Sequence, residues 1–347
     1  MRPSLKLPAV RRVGGALAAL SLALPVLVLA AAGPAVADGP DSTFSFQDDR
    51  ITESSGLAAS RKHPGIYWTH NDQDEPRVFA VDSRTGETVA TITLKGVGKP
   101  RDMEAVSVGP DGRVYVGDIG DNLNGTWPHV WIYAFPEPAE LRDATVKATQ
   151  YTVVYEDGAR DAEALMVHPK TGRVYIASKS QDGSGLYEAP KTLSASGKNV
   201  FRRIADDLPW VTDGAFSPDG TRLVLRTYLS ARGYEWKPEG RLGGDDRVKA
   251  PIQRQSEGVS YTLDGSALMF GSEGQGAEVE RVTVKDAGKG ARSAGGSSKG
   301  GGTASGDSGD SGEGSGGDGS VDLTTAVLVG AGALGLLLVL KRLFRRN

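Results

Sequence analysis

Acidic residues recur along this chain at one kind of place, each followed by Ala or Gly and then by an apolar stretch. The four repeat acids are Glu104, Glu163, Asp213 and Glu257, and Ser55 holds the same place in an earlier copy. Carboxylates that are brought together repel one another unless a cation, bound protons or guanidinium groups offset their charge. The pattern predicts either a metal site or a set of buried acids whose charge is compensated by neighbouring residues.

The metal hypothesis depends on the ligands that the chain can offer. It has no Cys, and oxygen ligands alone favour a hard cation, Ca²⁺ before Mg²⁺. In this hypothesis the repeat acids hold a Ca²⁺, with further ligands among Asn71, Asp118, Asp121 and Asn122. In the alternative hypothesis, the acids bond backbone N–H groups and pair with Arg101, Arg160 and Arg254, each three residues before a repeat acid.

The elements around each repeat acid indicate an all-β protein. Each copy contains an alternating apolar strand, a turn rich in Pro, Asp and Gly such as 110–112 or 218–220, and a second strand, and most copies add two more strand-like stretches. Four strands per unit and spacings of 44 to 59 residues are typical of β-propeller blades. We predict five four-stranded blades, with an N-terminal strand at 43–46 completing the last one; a sandwich of hairpins is the alternative.

A propeller would bring two sets of residues to one face. The first strand of each blade lines the central channel, and the loop after the second strand returns to the end where the first strand began. His70 is the one histidine expected on this face, and in a hydrolase either His70 or a repeat acid would be the candidate catalytic base. The remaining residues predicted to form the ligand-binding face are Asp72, Lys179, Arg226, Tyr228, Glu273, Arg101 and Arg160.

The ends of the chain predict where this domain is located. Residues 1–37 have the basic start, apolar run and Ala-Val-Ala ending of a signal peptide, so the propeller would span 38–287. Residues 288–320 include 14 Gly and 8 Ser and predict a disordered linker. A transmembrane helix is expected at 321–340, followed by a basic tail at 341–347, which places the tail in the cytoplasm and the propeller outside the cell.

Charge narrows the range of partners. Residues 38–287 contain 29 basic and 38 acidic side chains, and an acidic surface repels phosphate backbones, so we expect no nucleic acid partner. The organisation favours a single-pass cell-membrane protein with an extracellular binding or scaffolding module for a protein, a glycan or a small molecule. The alternative is a Ca²⁺-dependent hydrolase of ester, lactone or phosphoester bonds.

Four short segments carry a resemblance to known proteins. Residues 53–57 (Glu-Ser-Ser-Gly-Leu), 69–72 (Thr-His-Asn-Asp), 117–122 (Gly-Asp-Ile-Gly-Asp-Asn) and 256–259 (Ser-Glu-Gly-Val) resemble a group of secreted actinobacterial β-propellers of unsettled function. The acid-then-small start of each repeat is also similar to calcium-dependent lactonase and phosphotriesterase propellers. In those enzymes a Glu-Gly at a first strand supplies a metal ligand, so this second resemblance implies a Ca²⁺ site and hydrolytic activity.

Overall fold

Short alternating apolar segments form 21 β-strands and one short helix in the residues that the computed structural model describes, which are 41–72, 75–123 and 125–287. The predicted signal peptide, linker, transmembrane helix and basic tail lie outside these residues. Within the described ranges, no helix has the length and apolar character needed to cross a membrane.

The strands are β1 (Phe44–Ser45), β2 (Ala58–Ala59), β3 (Ile66–Thr69), β4 (Arg77–Asp82), β5 (Thr88–Lys95), β6 (Met103–Val108), β7 (Arg113–Asp118), β8 (Val130–Pro136), β9 (Ala144–Lys147), β10 (Thr149–Tyr155), β11 (Ala162–Val167), β12 (Val174–Ser178), β13 (Ser184–Glu188), β14 (Lys198–Leu208), β15 (Val211–Phe216), β16 (Arg222–Thr227), β17 (Ala231–Lys237), β18 (Arg241–Val248), β19 (Ser256–Tyr261), β20 (Ala267–Ser272) and β21 (Glu278–Thr283), and the helix is α1 (Val284–Ala287).

Antiparallel meanders of four strands make up the sheets. In chain order they are the first meander (β2 to β5), the second (β6, β7, β8, β10), the third (β11 to β14), the fourth (β15 to β18) and the fifth (β19, β20, β21, β1). In the fifth meander the N-terminal strand β1 pairs with β21, with Phe44 opposite Val279. Strand β9 adds in parallel to β5, the outer strand of the first meander. A second parallel pairing, β10 with β14, joins the outer strands of the second and third meanders.

The first strands of the meanders surround a common axis. Strand β2 contacts β6, β6 contacts β11, β11 contacts β15, β15 contacts β19, and β19 contacts β2 again. Apolar clusters fill the gaps between successive meanders; between the first and second, Trp68 packs edge-on against Phe135 with ring centroids 6.2 Å apart. The sequence predicted an all-β propeller built from repeats, and this architecture is confirmed.

The inner strands share a β-bulge close to the repeat acids. Met103 pairs with Asp118 and Ala105 with Gly117, so Glu104 is an extra residue in β6. Glu163 occupies the same position in β11, and β15 and β19 also carry a register shift near their acids. Because a bulge bends the strand and redirects a side chain, it explains how these acids leave the regular alternation of the sheet.

Candidate functional site

Three carboxylates converge where the first and second meanders meet. Oxygen atoms of Asp72, Asp102 and Glu104 all lie within 4.8 Å of one another, and the three residues are 7%, 2% and 1% exposed. Asp72 follows β3, Asp102 immediately precedes β6, and Glu104 is the bulge residue of β6. Separate elements therefore deliver three acids to one desolvated place, where their mutual repulsion must be compensated.

The loop after β7 covers this carboxylate cluster. The Asn122 Nδ2 donates a hydrogen bond of 2.6 Å to Asp102 Oδ2. A Cβ atom added to Gly120 would lie 2.5 Å from Asp102 Oδ2 and 2.8 Å from Glu104 Cγ. The backbone thus approaches the acids so closely that this position requires glycine.

Asn71, which was predicted as a further ligand, holds the entry to the first meander. Its Oδ1 accepts hydrogen bonds of 3.1 and 3.2 Å from the backbone N–H groups of Thr52 and Glu53, and its Nδ2 donates to the Arg50 carbonyl at 2.7 Å. The side chain is almost fully buried. In this arrangement Asn71 fixes the loop that carries Asp72.

Asp118, another predicted ligand, stabilises the backbone just before β6, beside the cluster. It accepts hydrogen bonds from the backbone N–H groups of Arg101 (3.1 Å) and Asp102 (2.8 Å) and from the Tyr133 hydroxyl (2.6 Å). Burial raises the pKa of the Asp118 carboxyl, while these donors partly oppose the rise. Asp118 therefore positions Asp102 through its backbone.

Asp121 has a comparable role in the covering loop. Its carboxylate accepts hydrogen bonds from Thr126 Oγ1 at 3.0 Å and from the Trp127 backbone N–H at 2.7 Å. Its own N–H donates to the Asp161 carboxylate at 2.8 Å. Asp121 thus shapes the loop from inside, and of the predicted loop ligands it is Asn122 that touches the carboxylate cluster.

A second group of buried polar side chains joins the third, fourth and fifth meanders. The Lys179 Nζ lies 2.5 Å from Glu163 Oε1 and 3.0 Å from the Tyr228 hydroxyl. Burial by itself lowers the pKa of Lys179, but attraction by Glu163 and other acids outweighs it and holds this pKa well above its usual value. Lys179 is therefore protonated and is the counter-ion of Glu163 inside the predicted ligand-binding face.

Glu257 lies at the edge of this second group. It is 3% exposed, and its Oε2 has no hydrogen-bond partner among the described residues. Burial raises its pKa well above the usual value, while Lys179 and Arg226 partly oppose the rise. The nearby Glu273 accepts a 2.5 Å hydrogen bond from Gln255. Glu257 is thus a repeat acid suited to hold a proton.

Asp213 and Arg226 connect the fourth meander to β19, the inner strand of the fifth. Asp213 is fully buried, and its two oxygens accept the N–H groups of Gly214 (2.7 Å) and Val259 (2.8 Å). Burial raises the pKa of Asp213 well above normal. The Arg226 guanidinium donates to the Gly258 carbonyl at 2.6 Å, and burial lowers its pKa to about 10. For Asp213, these contacts agree with the alternative hypothesis, in which a repeat acid bonds backbone N–H groups.

The arginines predicted to pair with the repeat acids have other contacts. Arg101 stacks on Trp127 and Trp131, and Arg160 forms a 2.6 Å ion pair with Asp157. Arg254 is exposed. The cation that the structure places against Glu163 is the ammonium group of Lys179 instead.

His70, the candidate base, is fully buried beside the first inner strand. Its Nε2 has no hydrogen-bond partner among the described residues, and a Cβ on Gly56 would lie 3.0 Å from that atom. Burial lowers the pKa of His70 to about 4, so the imidazole is neutral near pH 7. The group has the right protonation state for a base, but Gly56 packs against its free nitrogen.

Asp102 is the member of the cluster that sequence reasoning missed. A repeated Arg-Asp-x-Glu phrase could have revealed it, because Asp102 stands two residues before Glu104 as Asp161 does before Glu163. The repeat acid alone, without the rest of the phrase, does not indicate Asp102.

Comparisons with known proteins do not identify a family for this chain. No family model and no curated protein matches the chain. Propeller-like solved structures are similar to it: the nidogen–laminin complex (15% identity, TM-score 0.41, covering 64% of this chain and 73% of that one), a Thermus thermophilus oxidoreductase described as a glucose dehydrogenase (16%, 0.41, 68% and 85%), and the WD40 repeats of RRP9 (12%, 0.35, 66% and 67%). Likeness at this level carries no argument about function.

Proposed function

We propose that this chain is a membrane-anchored extracellular binding module, built as a five-bladed β-propeller, that takes up its ligand at the face formed by the repeat acids. The observation that carries the proposal is the convergence of Asp72, Asp102 and Glu104 in one buried cluster. A desolvated group of three carboxylates provides a place for a cation, and the open side of such a site provides a place for a ligand.

The five-bladed assignment is supported by the closed cycle of contacts among β2, β6, β11, β15 and β19. Each of these strands begins a four-stranded meander, and β1 supplies the fourth strand of the last one. Because β1 completes the outer edge of the last sheet, the first and last strands of the domain are joined in one sheet, and this suits a closed propeller.

Ca²⁺ is the cation that we propose for the cluster. The donors are carboxylate oxygens from Asp72, Asp102 and Glu104, and hard cations prefer such ligands. Ca²⁺ would offset the repulsion among the acids and present an electrophilic point to an oxygen-bearing ligand. The Gly120 backbone closes one side of the cluster, so a ligand would have to approach from another side.

A binding role fits the remaining residues better than catalysis does. The candidate base His70 is sealed behind Gly56, and Asp213 is committed to two backbone N–H groups. The second candidate function, a Ca²⁺-dependent ester, lactone or phosphoester hydrolase, rests on Glu257. Its raised pKa and unpartnered Oε2 suit a group that delivers a proton to a leaving oxygen.

Thermal unfolding of the purified full chain, in Ca²⁺ and in a chelator, tests the cation site. If Ca²⁺ is present at a hundred times its Kd, it stabilises the folded state by ~2.7 kcal/mol. That corresponds to a rise in Tm of about 5 to 11 °C for a domain of this size. Asp102→Asn combined with Glu104→Gln should abolish the rise, while the matched pair Asp161→Asn with Glu163→Gln should keep it.

Identical wild-type melting curves in Ca²⁺ and chelator would reject the cation site.

For the hydrolase candidate, turnover of simple esters, lactones and phosphoesters that is lost in Glu257→Gln would favour catalysis over binding. For the location, protease added to intact cells should release a soluble fragment the size of residues 38–287; protection until lysis would reject the extracellular orientation.

A further inference from the structure

Arg101 directly precedes Asp102 of the carboxylate cluster, and its guanidinium is held between two aromatic rings. Its guanidinium lies 4.1 Å from the ring centroid of Trp127 and 3.8 Å from that of Trp131. Its Nη2 donates a 2.7 Å hydrogen bond to the carbonyl of His129, whereas its Nε is buried and has no partner among the described residues. The two rings thus hold the guanidinium group of Arg101 in one plane, while its Nε–H donor stays without an acceptor.

Arg160 provides an internal comparison, because it occupies the same place in the next repeat. It lies three residues before Glu163, as Arg101 does before Glu104. Arg160 also stacks on an aromatic ring, that of Tyr187 at 4.7 Å, but its Nη2 is paired with the Asp157 carboxylate at 2.6 Å. Because Asp157 already occupies Arg160, the proposed binding site does not include Arg160, although the sequence predicted it on the ligand-binding face. Among the ion pairs of the described residues, Arg101 has no such carboxylate.

The surroundings of Arg101 make an unpaired cation costly. The stacked Trp rings replace water without supplying hydrogen-bond acceptors. A guanidinium held rigid and partly desolvated loses little conformational freedom when an oxyanion binds it, so the interaction is preorganised.

We propose that Arg101 binds an anionic oxygen group of the ligand, a carboxylate or a phosphate-like oxyanion, next to the cation on Asp72, Asp102 and Glu104. This inference rests on the proposed binding function and adds the charge of the ligand to it. Arg101 and Asp102 are consecutive, and the Asp118 carboxylate accepts the backbone N–H of both. The anion-binding guanidinium group and the cation site therefore have a fixed spacing.

The test uses small oxyanions and the full chain. Sodium sulfate, as a tetrahedral oxyanion, and sodium acetate, as a carboxylate, are titrated against sodium chloride of equal ionic strength, by calorimetry and by thermal unfolding. Each series is run in Ca²⁺ and in chelator. Arg101→Gln removes the guanidinium group, Arg101→Lys keeps the charge without the stacked plane, and Arg160→Gln is the matched control.

We expect one of the two oxyanions to bind the wild type specifically, and the stronger one identifies the ligand group. Arg101→Gln should weaken this binding at least about tenfold, Arg101→Lys should weaken it less, and Arg160→Gln should leave it within about twofold. Absence of oxyanion binding to the wild type, or equal loss in Arg101→Gln and Arg160→Gln, would overturn the proposal.

The two proposals fail separately in this design. Stabilisation by Ca²⁺ without any effect of sulfate or acetate would leave the cation site standing and reject the role of Arg101. Oxyanion binding that depends on Arg101 but is the same in Ca²⁺ and in chelator, with no stabilisation by Ca²⁺, would reject the cation site alone. If Arg101→Gln proves unstable, the comparison of the wild type with Arg101→Lys decides.

Discussion

Replacing Lys179 with Met tests the buried counter-ion of the face. The Lys179 Nζ is 2.5 Å from Glu163 Oε1, and the side chains are 11% and 2% exposed. Met keeps most of the aliphatic stem and removes the charge, so Glu163 is left buried without its ammonium partner. Breaking one side of a buried ion pair costs about 3 to 5 kcal/mol.

The measurement is thermal and denaturant unfolding of the variant at pH 7. At about 2 to 4 °C per kcal/mol, Lys179→Met should lower the Tm by about 6 to 20 °C. The double variant Lys179→Met with Glu163→Gln removes both charges and should recover much of the loss. Lys237 is the matched control, because its 2.8 Å pair with Glu235 is 43% and 51% exposed and is worth at most about 1 kcal/mol.

The pH dependence has a definite sign. Because the pKa of Lys179 is raised above 10.5 in the folded state, its stabilisation is complete below pH 10.5 and is lost as the pH rises through the folded-state pKa. The deficit of Lys179→Met should shrink in acid as Glu163 takes up a proton. If Lys179→Met melts like Lys237→Met, or if the double variant is no more stable than the single one, the ion-pair argument is refuted.

Three further predictions concern other positions of the face. Gly120→Ala forces Asp102 and Glu104 apart and should cost about 1 to 3 kcal/mol and weaken Ca²⁺ binding, whereas Gly98→Ala, which meets nothing within 4 Å, should do neither; equal melting curves would contradict this. Since the pKa of His70 is about 4 when folded and 6.5 when unfolded, wild-type stability should fall by about 3 kcal/mol as the pH falls through this window, and His70→Gln should lack that dependence in denaturant titrations. The raised pKa of Glu257 makes its ionised form costly above pH 4.5, so Glu257→Gln should gain stability relative to wild type as the pH rises from 5 to 8, and a constant difference would contradict this.

The local part of the fold could be predicted because turns and alternation leave signals in the sequence. The turn at 110–112 separates β6 from β7, and Gly112 has the positive φ of 71° that such a turn requires. The parallel pairing of β9 with β5 leaves no comparable signal. Strand β9 lies between β8 and β10 in the chain but pairs with the preceding meander, and only tertiary packing decides that choice.

The sequence indicated which strands carry the repeat acids, but not which side chains surround each acid. The repeat indicated that Glu104 and Glu163 would face the axis, yet their neighbours come from loops of different sequence. Asp72 reaches Glu104, whereas Lys179 reaches Glu163, so one acid joins a carboxylate cluster and the other an ion pair. Equivalent places in a repeat thus acquire different chemistry from the side chains that adjacent loops deliver.

The pairing of β1 with β21 has a consequence for the order in which the protein folds. These strands are joined by two residue pairs, and the nearby hydrogen bond from Arg281 to Thr43 spans 238 positions of the chain. During synthesis, β1 emerges first and must wait unpaired until the last strand arrives. Such non-local closure is slow and exposes a strand edge in the meantime, so aggregation before closure, rather than loss of the finished fold, is where this protein is most vulnerable.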